Sequence, residues 1–301
     1  MEAHNELKKL YESGVNISQY LREKFGLQFN DDRIIELTYD LQSGSYIDAL
    51  NDEESRNNKK RYTDEMARII QTYCPSPNSL LKGGTGECVT LLGILQGLDR
   101  VVPHIHGFDM CWSRVAYGRQ HLSANGVQDF QLATGTLSAP PYMEHSFEVV
   151  VTSHSMEPNG GREAEILQAL YRVTGEWLIL FEPSYEHASP DGKHRMDAMG
   201  YVKDLPKHAK ALGYEVVDHF PLAATMNPMN PTAATIIRKP RAVLAQPKLA
   251  CPITHSELSV TPDGYFSIEG MCMYPVISGI GCLKHSNAIV ASKYPDFEPI
   301  K

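Results

Sequence analysis

Apolar residues recur at helical spacing through residues 1–73. Leu7, Leu10 and Tyr11 stand at i, i+3 and i+4, and Ile17, Tyr20 and Leu21 repeat that interval. This spacing puts each set on one face of a 3.6-residue turn. Ile34, Leu37, Thr38 and Leu41 continue the pattern within residues 33–50. Residues 42–46, Gln-Ser-Gly-Ser-Tyr, interrupt it and read as a turn. A polar stretch, residues 51–61, then leads into a helix over 62–73, whose start is marked by Thr63, Asp64 and Glu65. Residues 1–73 are therefore expected to form a helical cap. It either covers a core or serves as a lid over a ligand, with Tyr39, Gln42 and Tyr46 near the pocket.

Cys74, Pro75, Ser76 and Pro77 stop the helical pattern, because proline cannot continue a helix and restricts its predecessor. Beyond them the period changes. Strand-like runs at 78–82, 104–108, 130–133, 147–152, 176–181, 214–217 and 234–237 alternate with helical patterns at 88–98, 113–124, 162–173 and 205–212. Strands alternating with helices predict an α/β fold with a parallel, doubly wound, Rossmann-like sheet of seven strands over residues 74–242. Residues 243–301 are rich in Pro, Gly and turn dipeptides, with β-type runs at 264–268 and 274–277. They read as a small β-rich module.

Composition narrows the function. The chain has 301 residues, enough for about two domains. No uninterrupted apolar run reaches the length of a membrane span, and the N-terminus has no apolar signal core. The six cysteines are scattered, which fits reduced thiols in a cytoplasmic protein better than a disulfide framework. The formal net charge is −8, and the longest basic cluster, Lys59, Lys60 and Arg61, is flanked by acids. Such a surface repels a phosphate backbone, so a small-molecule substrate is expected rather than nucleic acid. Association with a second copy stays open.

The candidate chemistry lies at strand ends. Gly83, Gly84, Thr85 and Gly86 separate the first strand of the core from its helix, and Asp109 ends the second strand. Glycines let the backbone approach a ligand, and an acid about 20 residues on can accept ribose hydroxyls. The pattern is not Gly-x-Gly-x-x-Gly, and no Lys-Ser/Thr pair follows Gly86, which argues against a phosphate-binding P-loop. Ser153, His154, Glu157 and Asn159 follow the fourth strand, where open α/β sheets bind ligands. His154 suits a general base, oriented by Glu157, with a structural hydrogen-bonding role as the alternative. Glu182 and Tyr185 follow the fifth strand, and Pro183 holds Glu182 extended. Arg162, Lys193, His194 and Arg195 either meet an anionic substrate or are surface charges.

The segment from Lys82 to Glu87 resembles the first motif of the class I S-adenosylmethionine-dependent methyltransferases, and Gly107, Phe108 and Asp109 resemble the second. Ser146, Phe147, Glu148, Val149 and Val150 are similar to that family's fourth-strand motif, and Arg172 and Val173 to the helix before strand five. The resemblance spans about residues 75–240. Lys82 departs from it where the first glycine is usual, Leu80 where an acid is usual, and Thr134 and Gly135 where Gly-Asp is usual. The resemblance implies transfer of a methyl group from S-adenosylmethionine to an oxygen or nitrogen of a small polar metabolite, such as a sugar or an amino-acid-derived compound. It implies cofactor contacts at Lys82, Gly83, Gly84, Thr85, Gly86, Asp109, Met110, Thr134, Gly135 and Ser153. Catalysis would fall to His154 and Glu157, and substrate binding to Tyr39, Gln42, Tyr46, Asn159, Glu182 and Tyr185.

The tail is similar to the small Trm112-like domain through Leu249, Ala250, Cys251 and Pro252, then Tyr274, Pro275 and Gly279. Cys251, His255, Cys282 and His285 could make a tetrahedral site, but the spacing is atypical and no metal is expected. The rival readings are a methyltransferase acting on RNA or protein, and a non-catalytic scaffold whose cofactor motif has decayed.

Overall fold

A computed structural model describes residues 2–240 and 246–297. The boundary expected between residues 242 and 243 lies outside the described residues. Five helices open the chain: α1 (Glu2–Glu12), α2 (Ile17–Phe25), α3 (Asp32–Asp40), α4 (Ser45–Asp48) and α5 (Glu53–Tyr73). Side-chain oxygens of Asn16, Asp31 and Asp52 cap α2, α3 and α5 by accepting orphan backbone N–H groups. Leu7, Ile17, Leu21 and Ile34 gather into a small apolar cluster of their own. Helix α5 starts well before the expected residue 62. Asp52 is its N-cap and Glu53 and Glu54 occupy its first turn, so Thr63, Asp64 and Glu65 lie mid-helix. Most of the polar stretch is exposed, and the one face of this half of α5 that turns inward carries the polar Ser55 and Lys59.

The sheet strands are β1 (Ser79–Gly83), β2 (His104–Asp109), β3 (Phe130–Thr134), β4 (Phe147–Ser153), β5 (Thr174–Pro183), β6 (Glu215–Pro221) and β7 (Thr232–Arg238). Between them run α6 (Val89–Gly97), α7 (Trp112–Ala124), α8 (Glu163–Val173), α9 (Pro190–Met199) and α10 (Leu205–Ala211). The strand order is β6-β7-β5-β4-β1-β2-β3. Strands β1 to β5 pair in parallel. The expectation of a parallel sheet throughout needs correction at one edge, where β7 runs antiparallel to both β5 and β6. No helix lies between β6 and β7, and without a crossover two adjacent strands must run antiparallel. Apolar clusters fill both faces. Ile166, Leu170, Leu205 and Ala209 of α8 and α10 cover one, and Met66, Ile70, Leu91 and Val115 of α5, α6 and α7 cover the other. Helix α9 was not anticipated, although Ser189 and Pro190 at its start and Gly200 at its end carry standard signals.

The tail contributes β8 (Ser259–Thr261), β9 (Gly264–Ser267), β10 (Cys272–Ile277), β11 (Ile280–Cys282), β12 (Ile289–Val290) and α11 (Tyr294–Phe297). It extends the central sheet. β11 pairs in parallel with β3, Gly281 opposite Ala133 and Cys282 opposite Thr134, and the order continues β3-β11-β10-β9-β8. Cys251, Tyr274 and Leu283 join the same apolar cluster as Phe147 and Leu178.

Candidate active site

The C-terminal ends of β1, β2 and β4 open into a cavity of about 500 Å³, roofed by residues of α3, α4 and α5. After β1 the chain turns sharply, with Gly84 at φ +60°, Gly86 at +52° and Cys88 at +59°. Glycine is required at 84, because a Cβ there would lie 2.2 Å from the Cβ of Ser155. The turn closes on Asp109: Oδ2 accepts the Gly86 N–H at 2.8 Å, and Oδ1 accepts the Cys111 N–H at 3.0 Å. A carboxylate has about four acceptor directions. Asp109 therefore braces the turn and keeps acceptor capacity toward the cavity that it lines.

Glu87 ties the roof to this turn. Its carboxylate accepts the N–H groups of Gly44 and Ile47 at 3.0 and 2.9 Å, and lies 3.7 Å from the Arg114 Nε. The Arg114 guanidinium sits 4.4 Å from the Tyr46 ring centroid and 5.3 Å from that of Tyr39. Burial pushes both tyrosine hydroxyls above their ordinary pKa.

At the far end, His154 adopts a left-handed backbone, φ +48°, uncommon outside glycine. Its Nδ1 is 2.6 Å from Glu157 Oε2, and its Nε2 is 2.7 Å from the Thr232 hydroxyl. A carboxylate only accepts, so Nδ1 carries the hydrogen and a neutral ring has its lone pair on Nε2. The buried Asn230 donates to the same Glu157 oxygen at 3.2 Å, and its own Oδ1 has no hydrogen-bond partner. The Tyr62 hydroxyl donates to Thr232 at 3.4 Å, and burial raises its pKa far above normal. Two lysines complete the wall. Lys82 is buried, and Lys59 reaches in from α5.

The expected residues divide into two groups. Lys82, Gly84, Thr85, Gly86, Asp109, Met110, Gly135, Ser153, His154, Glu157, Asn159, Tyr39 and Tyr46 share the cavity. Gly83 lies beneath it, its carbonyl accepting from Lys82 and Ser155. Four others point elsewhere. The Thr134 hydroxyl accepts the Leu283 N–H from the tail at 3.1 Å. Glu182 is buried under Ser155, whose N–H it accepts at 3.2 Å, and burial raises its pKa, opposed by the charges of His154 and Lys82. The Tyr185 hydroxyl donates to Asp197 at 3.2 Å, and Gln42 turns the chain through its carbonyl, which accepts from Ser45. Arg162 is taken by Asp32 and Glu165. Among the described residues no group of three His, Cys, Asp or Glu side chains is placed to hold a metal, and Cys251 contacts the Tyr274 hydroxyl at 3.3 Å.

Glu87, Arg114, Tyr62, Asn230 and Lys59 were not anticipated as site residues. For Lys59 a signal exists: it shares a helical face with the buried Tyr62, Met66 and Ile70. Arg114, in a helix with little amphipathic contrast, offers none.

No protein-family model matches this chain, and no curated protein matches it in sequence. Solved structures do. A magnesium protoporphyrin IX methyltransferase from Synechocystis, with bound S-adenosylhomocysteine, is 11% identical. The match covers 70% of this chain and 100% of that one, with a TM-score of 0.52. The chain has the fold of the class I methyltransferases. A SAM-dependent methyltransferase from Aquifex aeolicus is 11% identical over 57% of this chain and 87% of that one, with a TM-score of 0.43. Among the described residues no helix is long and apolar enough to cross a membrane.

Proposed function

We propose that this chain is an S-adenosylmethionine-dependent methyltransferase acting on a small polar metabolite. The carrying observation is that the glycine turn, Asp109 and the His154–Glu157 pair all face one roofed cavity. The nucleoside half of the cofactor fits the residues present. Asp109 offers carboxylate oxygens to ribose hydroxyls, Gly84 and Gly86 leave room for close approach, and Phe108, Met110 and Leu137 supply an apolar surface for a base. When bound, the cofactor supplies an electrophilic methyl group.

The chain's own work is positioning and proton removal. Glu157 fixes the His154 ring by accepting the Nδ1 hydrogen, so the Nε2 lone pair takes the acceptor's proton once the Thr232 hydroxyl gives way. Asn230 holds Glu157 and presents a free carbonyl oxygen to the acceptor. The roof formed by Tyr39 and Tyr46 over the cavity supports a small-molecule substrate. We read the tail as a Trm112-like module fused to the core over residues 243–301, a reading supported by the β11–β3 pairing and the burial of Cys251 and Tyr274.

The test is calorimetric titration of S-adenosylhomocysteine into the wild type, Asp109→Ala and His154→Gln. Micromolar binding lost in the first variant and kept in the second, with turnover of a screened acceptor lost in the second, is the expected result. No binding to the folded wild type would refute the reading.

A further inference from the structure

Glu157 stands apart from the other acids around the cavity. Asp32 faces Arg162, Glu87 faces Arg114, and Asp109 is braced by two backbone N–H groups. Glu182 lies beneath the wall, where the charges of His154 and Lys82 oppose the effect of its burial. Glu157 lines the cavity and is 9% exposed, and among the described residues His154 is its sole ion-pair partner. A neutral His154 ring brings it no charge. The nearby cations are engaged elsewhere. Arg114 lies over the Tyr46 ring, Lys59 donates to the Thr90 hydroxyl, and Lys82 donates to the Gly83 and Gly84 carbonyls. Arg195 reaches the carboxylate only through the Tyr201 hydroxyl, which bonds to both. Tyrosines surround Glu157: burial raises the pKa of Tyr39, Tyr46, Tyr62 and Tyr201, and the Glu157 charge adds to the shift at each. A buried carboxylate without a full countercharge carries a desolvation cost, which an incoming cation relieves.

The hydrogen bonds point the same way. Glu157 Oε2 accepts from His154 Nδ1 at 2.6 Å and from Asn230 Nδ2 at 3.2 Å, and the carboxylate also takes the Tyr201 hydroxyl. A carboxylate has about four acceptor directions, so about one is left. Asn230 is 5% exposed and lines the cavity. Because a carboxylate only accepts, the amide end that faces it is the NH2, and the Oδ1 at the other end has no partner. Asn159, in the same wall, spends its NH2 on the carbonyls of Ser155 and Met156 at 3.3 and 3.2 Å, so its oxygen is what it can offer a ligand. We infer that Glu157, Asn159 and Asn230 form an ammonium-binding subsite, which takes a protonated amino group and makes the substrate a small amine. An ammonium brings three hydrogens and a positive charge to three oxygens and one carboxylate charge, whereas a hydroxyl brings one hydrogen and an anion none. The inference rests on the proposed reading that a nucleoside and an acceptor share this cavity, with the acceptor at the His154 end.

The experiment titrates benzylamine, benzyl alcohol and benzoate at pH 7 into the wild type, Glu157→Gln, Asn230→Leu and Asn159→Leu. Each protein is saturated with S-adenosylhomocysteine and checked for folding by its melting curve. The probes share a shape and differ in charge. Benzylamine should outbind benzyl alcohol by at least about tenfold in the wild type, the worth of one hydrogen bond to a charged group, and benzoate should bind more weakly than either. The margin should collapse in Glu157→Gln, which keeps the shape of the side chain, and shrink in each asparagine variant that folds. No margin in the wild type, or one that survives in Glu157→Gln, overturns the inference. It also fails if benzylamine competes with S-adenosylhomocysteine and Glu157→Gln weakens that nucleoside but not 5′-methylthioadenosine (which lacks the amino-acid tail), because the oxygens then hold the nucleoside's own amino group. If the wild type binds no nucleoside, the methyltransferase reading fails, and the margin measured on the nucleoside-free protein decides the subsite by itself.

Discussion

Replacing Glu87 by Gln removes the joint between the N-terminal roof and the glycine turn without changing its shape. The carboxylate is 2% exposed and accepts two backbone N–H groups, from Gly44 and Ile47. Hydrogen bonds to a charged group are worth about 1.5–3 kcal/mol each. The amide keeps one acceptor and turns its NH2 toward the other N–H, which leaves a buried donor unsatisfied at about 1–3 kcal/mol. Arg114 also loses a charge 3.7 Å away. At an effective dielectric near 20, such a pair is worth about 4 kcal/mol before solvation. Asp109 and the faces of Tyr46 and Tyr39 hold part of that, so the net cost is about 3–5 kcal/mol. Hydrogen exchange resolved at Gly44 and Ile47 is the direct assay. Both amides should exchange at least about a hundredfold faster in Glu87→Gln, and Tm should fall by about 5–10 °C. Unchanged exchange at these two amides would show that the roof is held by its packing and refute this account of the joint.

Two further substitutions probe the frame. Gly84→Ala puts a Cβ 2.2 Å from that of Ser155 at φ +60°, so it should cost several kcal/mol in urea unfolding and weaken nucleoside binding in the same protein. Lys239 is buried, and its Nζ donates to the carbonyls of Tyr171, Thr174 and Arg172 at 2.6, 2.9 and 3.4 Å, closing the end of α8. Burial lowers its pKa to about 8. Above that pH the folded state has released a proton that the unfolded chain keeps to about 10.4, so folding gains stability across this window. The urea-unfolding difference between wild type and Lys239→Met should therefore move in favour of the lysine from pH 8 to 10. A flat difference would contradict the shift.

The alternation of strands and helices was legible because each core strand is a short, nearly continuous apolar run between breakers. The β4 and β5 runs start within two residues of the expected positions. Helix α5 was read short because its first half is mostly exposed and turns only polar residues, Ser55 and Lys59, inward, so no hydrophobic period marks it. The antiparallel β7 was not legible, since a β-branched run carries no direction of its own.

In the site, glycine and acid spacing pointed to Gly84, Gly86 and Asp109, because backbone geometry and strand ends follow from local sequence. Glu182 and Thr134 satisfied the same strand-end rule, yet one is sealed under Ser155 and the other paired with the tail. Only packing in three dimensions decides which side of a strand end faces the cavity. The same holds for Lys59, which lies 23 residues from Lys82 in sequence and meets it electrostatically in space. The sequence by itself determined the elements, the glycine turn and its acid, since these depend on torsions and on neighbours a few residues away. The roof over the cavity, the Glu87–Arg114 joint and the fusion of the tail to β3 depend on contacts between distant segments, and only the tertiary structure decided them.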